Sequence, residues 1–191
     1  MKKIMFNDKY GLTKAVLEGR KTMTRRIMKP QPTWVSGDGH IYNDSERPTY
    51  KIGEIVAISQ SYKECGYDPE AKSAWCHDEN ENHIDVHFKE EAGWTNKMFV
   101  RADRMKHHIR ITDIKVERLC DISDEDCIKE GLTQKPDPFI GEDEMVYCFQ
   151  GSDINYEYPS TCFAALIDKV SGKGTWDLNP FVFAYSFKLV D

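Results

Sequence analysis

FVFAYSFKLV, residues 181–190, carries Phe181, Phe183, Tyr185, Phe187 and Leu189 at every second position. Period-two alternation marks a strand with one face turned to the core. Side chains this large on one face predict the clearest core strand of the chain.

Earlier in the chain, EIVAIS (54–59) reads as a short buried strand and MFVRA (98–102) as another. HHIRITDIKVERL (107–119) alternates in two phases, Ile109 and Ile111 in one, Ile114 and Val116 in the other. A β-bulge between two strand halves would produce that slip. Three short helices are expected. The first spans 8–18, with Asp8 as cap and Gly19 as stop. The second spans 123–130, where Ser123 is the N-cap, Asp124, Glu125 and Asp126 sit at the positive end of the dipole, and Gly131 ends it. Ile122 and Cys127 occupy its staple positions. The third spans 160–170, with Phe163, Ile167 and Val170 on one face. Lys29-Pro30 and Gln31-Pro32 exclude helix after the first, and 33–50 reads as polar loop. Without regular βαβ alternation, this predicts an α+β fold around a small barrel or curled sheet. Residues 63–96 and 133–159 are crowded with polar side chains and read as irregular insertions in a single domain, 1–191.

The apolar share of 40% is enough for a packed core, and the acidic balance, net −6, argues against a general nucleic-acid coat. MKKIMFNDKY is too short in apolar residues for an export signal, and no run reaches membrane-spanning length. The expectation is a cytoplasmic protein with no membrane partner. Cys65, Cys76, Cys120, Cys127, Cys148 and Cys162 then read as free thiols.

Against that acidic background, GRKTMTRR (19–26) packs Arg20, Lys21, Arg25 and Arg26 around two threonines. A basic cluster alone reads as a solvated strand. The sharper reading is chemical. A threonine hydroxyl needs a neighbouring base, and lysine becomes one when like charges lower its pKa. Lys21 has three arginine neighbours. A regular strand would send Lys21 and Thr24 to opposite faces, so cooperation requires a bend.

Glu130 is the second anomaly. It sits in the last turn of the 123–130 helix, where the dipole disfavours an acid, and four residues after Asp126. Taken alone it reads as a solvated glutamate. Arg101, Arg104, Lys106, His107, His108 and Arg110 form another basic run, either a solvated edge or a phosphate-contacting wall. Cys65, Cys76, His83 and His87 lack the usual knuckle spacing, so no metal is expected. The Walker, dinucleotide, zincin and nucleophile-elbow motifs are absent, and no cofactor is expected.

GlyArgLysThrMetThrArgArg resembles the G-x-K-x-x-x-x-R signature of the ASCH domain family, whose barrel is PUA-like. IGEIVAISQSY is similar to the family's second strand. ITDIKVERLCDISDEDCIKEGL is similar to its strand, turn and helix ending in Glu-Gly. GTWDLNPFVFAYSFKLV resembles the closing strand of the longer, phage-associated members. Together these cover about two thirds of the chain, leaving the two insertions unmatched.

The small bacterial members include amidohydrolases that deacetylate 4-N-acetylcytidine. What the resemblance implies is a nucleoside or nucleotide pocket with Lys21 as base, Thr24 as nucleophile and Glu130 as the acid that orients Lys21 or protonates the leaving nitrogen. Arg26 matches the signature arginine. Gly19, Arg20, Arg25, Arg26 and Arg101 are the expected substrate contacts. The alternatives are a non-catalytic RNA- or nucleotide-binding module and a phage-type assembly or regulatory protein.

Overall fold

A computed structural model of the chain describes residues 1–33, 36, 47–137 and 141–190. Its elements in chain order are β1 (Lys3–Ile4), α1 (Leu12–Leu17), β2 (Met23–Ile27), β3 (Ile55–Ile58), β4 (Lys72–His77), β5 (His83–His87), β6 (His108–Arg118), α2 (Asp124–Lys129), β7 (Thr133–Asp137), β8 (Gly141–Cys148), α3 (Pro159–Ser171), α4 (Thr175–Leu178) and β9 (Phe181–Leu189). The α+β class is therefore observed, and among the described residues the sheets do not close into a barrel. The chain divides into two compact units, one of Met1–Phe6, Ile55–Ile109 and Val190–Asp191, the other of Asn7–Glu54 and Arg110–Leu189.

In the second unit β9 lies between β6 and β2. β2 runs antiparallel to it, with Thr24 opposite Tyr185, Arg25 opposite Ala184 and Arg26 opposite Phe183. Phe183, Tyr185 and Phe187 are buried as their alternation predicts, and so are Val182 and Ala184 on the other face. Both faces of β9 are therefore covered, which its single aromatic stripe conceals. Gln31 clamps the end of this pair. Its Nε2 donates to Met28 O and Phe181 O at 2.7 and 3.1 Å, and its Oε1 accepts from Phe181 N at 2.7 Å.

The expected 8–18 helix is divided. A 3-10 turn at Asp8–Tyr10 is capped by Asn7, whose side chain accepts from Lys9 N. Gly11, at φ +67°, separates it from α1. Asp8 instead accepts from the Thr13 hydroxyl. Ser123 caps α2 by accepting from Asp126 N, and Ile122 and Cys127 are both buried. β6 spans the expected strand without interruption. α3 buries Cys162, Phe163, Leu166 and Ile167. The stretch expected to be irregular over 133–159 contains the antiparallel pair β7 and β8. β7 is almost entirely exposed, so no hydrophobic period marks it, and its register shifts at Pro136, where the ladder loses a donor.

The first unit has its own order. β1 pairs in parallel with β3, the latter as expected for EIVAIS. Within the expected 63–96 insertion, β4 and β5 form an antiparallel hairpin. Its turn is built on Asp78, whose carboxylate accepts from Asn80 N and Asn82 N at 2.9 Å each. Tyr62, Phe88, Val100 and Met105 make a core with Ala57, and Tyr67 and Trp94 pack onto it. The expected strand 98–102 is not one. Asn96 turns the chain there, accepting from Met98 N through its side chain and from Phe99 N through its carbonyl. Side-chain turn chemistry outweighs the β-propensity of Phe and Val. The loop expected over 33–50 falls largely outside the described residues.

Candidate active site

Lys21 is delivered by a tight exit from α1. Gly19 adopts φ +72°, and Arg20 N and Lys21 N both donate to Ala15 O at 2.9 Å. Thr22 then fastens the segment on both sides, its N donating to Lys129 O at 2.9 Å and its O accepting from Phe187 N at 2.8 Å. Lys21 therefore lies against the C-terminal end of α2. Gly131 allows the approach. It stands at φ +101°, and a Cβ there would come within 3.2 Å of Lys21 Cβ and 3.3 Å of Ala15 Cβ. Both the backbone conformation and the space require glycine.

Glu130 is the C-cap residue of α2. It is 4% exposed, and its carboxylate meets two cations. Oε2 accepts from Lys21 Nζ at 2.6 Å, and Oε1 accepts from Arg25 Nη1 at 3.1 Å. Lys21 Nζ also donates to the Glu130 carbonyl at 2.7 Å, so the ammonium satisfies one of the orphan acceptors at the negative end of α2. This resolves the anomaly of an acid at that end: a buried cation sits beside it. Lys21 is 2% exposed. Burial, the largest influence, pushes its pKa below the ordinary lysine value. The Glu130 carboxylate opposes this, and Arg26 and Arg25 add to the lowering.

Arg25 is held by more than Glu130. Its Nε donates to Glu117 Oε1 at 2.8 Å, its Nη2 lies 2.7 Å from the same oxygen, and Nη2 reaches Asp126 Oδ2 at 3.3 Å. Asp126 in turn accepts from Lys129 Nζ at 2.9 Å. Thr24 is buried on β2, 5% exposed. Successive strand residues face opposite ways, so Thr24 and Arg26 share the face of Tyr185 and Phe183, while Arg25 turns to the acids. Tyr50 packs edge-on to Tyr185 at 5.3 Å on that face. No hydrogen bond links Thr24 to Lys21 among the described residues.

Lys21 and Glu130, which are 109 positions apart, are thus brought into contact, with Arg25 beside them. Two of the other expected contacts are bonded to near neighbours in sequence. Arg20 is exposed and bonded to Glu18 at 2.7 Å. Arg101, in the first unit, is exposed and bonded to Asp103 at 3.1 Å. Sequence reasoning did not find Glu117, nor the inward role of Arg25. The signal was available: Met23-x-Arg25-x-Ile27 puts Arg25 in phase with apolar residues, hence on an inward face that needs a counter-charge.

The histidines of the poorly spaced Cys/His set have other neighbours. The His83 ring lies tilted against that of His77 at 4.3 Å between centroids, and His87 Nδ1 lies 2.7 Å from Glu70 O. The Cys76 side chain lies outside the described residues. Cys65, Cys120, Cys127, Cys148 and Cys162 are free thiols. Among the described residues no helix is long and apolar enough to cross a membrane.

No family model matches this chain, and no curated protein does. Among solved structures, the chain is similar to the crystal structure of protein EF3133 from Enterococcus faecalis V583, described by the family model DUF984, with 14% identity, a TM-score of 0.42, and coverage of 100% of this chain and 81% of that one.

Proposed function

We propose that the chain is an ASCH-type, PUA-like protein whose second unit hydrolyses an N-acylated pyrimidine nucleoside or a related small amide. The observation that carries this is the buried Lys21–Glu130 contact at 2.6 Å. A lysine kept out of water, with a carboxylate positioned to take or return its proton, is a base poised nearer neutrality than a surface lysine.

Thr24 Oγ1 attacks the amide carbon while its proton passes to the neutral Lys21 amine. The tetrahedral intermediate collapses as the proton is delivered, through Lys21 or Glu130, to the departing nitrogen. Cytidine leaves and the acyl group remains on Thr24 as an ester. Water, losing its proton to Lys21, then cleaves the ester, and the carboxylic acid departs. Thr24 and Lys21 must close on each other for the first step. Such contacts commonly form only with substrate bound.

Arg25 is already bound to Glu117, Asp126 and Glu130, which removes one of the cations a phosphate-binding alternative would use. The experiment is incubation with 4-N-acetylcytidine and chromatographic detection of cytidine. Turnover lost in Lys21→Ala is the expected result. No turnover on this or other N-acyl cytidines, with salt-dependent RNA binding instead, would replace the reading with a binding module.

A further inference from the structure

We propose that Arg25 is a positioning residue that aims the Glu130 carboxylate at Lys21 without touching substrate. This rests on the hydrolase reading above for its catalytic consequence, but its structural content stands apart from it.

The geometry is a relay with a direction. Glu117 on β6 anchors the guanidinium through two nitrogens, Nε at 2.8 Å and Nη2 at 2.7 Å. Asp126 on α2 adds a third contact at 3.3 Å. The remaining arm, Nη1, holds Glu130 Oε1 at 3.1 Å, leaving Oε2 for Lys21. A planar fork fixed on one side presents its other side at a fixed angle, which a lysine in the same place would not do. Glu130 cannot rotate its carboxylate away from Lys21 without breaking the Arg25 bond. The side chains of Arg25 and Glu130 are 1% and 5% exposed, so water and salt compete only weakly for the bond between them.

Arg25 also contributes fixed positive charge. Among the described residues, the charged groups facing Lys21 include Glu130 from the end of α2, Arg25 and Arg26 from β2, and, one bond further, Asp126 and Glu117. Arg25 and Arg26 disfavour the ammonium, Glu130 favours it, and burial disfavours it most. Replacing Arg25 by a neutral residue removes one opposing cation and leaves Glu130 to Lys21 alone. Both changes raise the Lys21 pKa.

The test uses the full chain and two readouts. The first is the titration of the Lys21 side chain by 15N NMR, assigned by its loss in Lys21→Arg. The second is turnover of 4-N-acetylcytidine. In Arg25→Gln the Lys21 midpoint should move up, and kcat should fall about tenfold to a hundredfold with KM little changed, the usual effect of a misplaced catalytic group. Arg25→Lys keeps the charge and loses the fork. It should hold the Lys21 midpoint near the wild-type value while kcat still falls. If Arg25→Gln does not fold, Arg25→Lys carries the test. A folded Arg25→Gln with an unchanged Lys21 midpoint, or an Arg25→Lys with wild-type kcat, overturns the proposal. If the wild type turns over no N-acyl cytidine, the hydrolase reading fails by itself. The Lys21 titration then still decides whether Arg25 governs the Glu130–Lys21 pair.

Discussion

Arg25 and Arg101 lie in basic runs of similar density and end in opposite surroundings. Arg25 has 1% of its side chain exposed and meets three carboxylates; Arg101 has 65% exposed and meets Asp103 two residues away. The acids around Arg25 come from 92, 101 and 105 positions along the chain. A pair two residues apart forms in almost any conformation, in water, and is worth little. A cluster assembled across such separations forms only when the fold does, and then holds because its members have nowhere else to find partners. Local charge density therefore says nothing about which cations are locked to buried acids and which stay in water.

The sharpest way to break this contrast is catalytic. Lys21→Ala and Thr24→Ala should each abolish turnover of a responsive N-acyl substrate, with the double variant scarcely worse, because groups acting as one unit lose nearly everything at the first substitution. Single-variant losses that multiply in the double variant would separate the two residues into independent roles.

Next comes stability. Glu130→Ala strands Lys21 and part of Arg25 without a counter-charge, and removal of one partner from a buried pair costs about 3–5 kcal/mol. Urea unfolding measures it, and a loss below about 1 kcal/mol would mean that water reaches the cluster. Phe183→Ala, in the apolar core of the same unit, should cost a comparable amount, about 3–5 kcal/mol, by opening a cavity in β9. Its loss should be independent of salt, whereas any residual screening would show in the Glu130 variant.

A smaller effect is the pH dependence. The folded state holds Lys21 below its ordinary pKa, so between that lowered value and the ordinary lysine value the unfolded chain binds the proton more tightly. Stability therefore gains from raising pH across that window, and the penalty is fully present below it. Unfolding of the wild type against Lys21→Met at rising pH should show the difference between them change across the window, and a flat difference would mean Lys21 is not perturbed. Rates of hydrolysis should rise as the free amine forms around the lowered pKa, at the lower edge of that window, and level off above it. Smallest of all, Arg101→Ala should leave the urea midpoint where it was. A clear shift would show that this exposed arginine is held by the fold as Arg25 is.

Much of the scaffold was legible because short-range physics wrote it. The alternation of FVFAYSFKLV marks β9, Ser123 with its following acids marks α2, and EIVAIS marks β3. Reading failed where burial period and structure part company. β7 is exposed and has no period to read. Asn96 and Asp78 set turns through side-chain bonds that no hydrophobic pattern announces. At the site, the oddity of Glu130 was visible in its position at the wrong end of a helix, and its contact with Lys21 was expected from the ASCH resemblance. The inward face of Arg25, expected at the substrate instead, could be read from its phase with Met23 and Ile27, but the acids it meets could not, because they lie on β6 and α2.

By itself, then, the sequence determined that β3, β6 and β9 are strands and α2 and α3 helices, where α2 begins and ends, and which residues break local rules: Lys21 among arginines and Glu130 at a helix C-terminus. Those follow from bonds and periods spanning a few residues. Only the tertiary structure decided that Lys21 closes on Glu130, that Arg25 turns inward to Glu117 and Asp126, and that Arg20 and Arg101 stay in water. Which charges share a low-dielectric interior depends on how strands and helices distant in sequence are packed, and electrostatic strength follows that burial rather than composition.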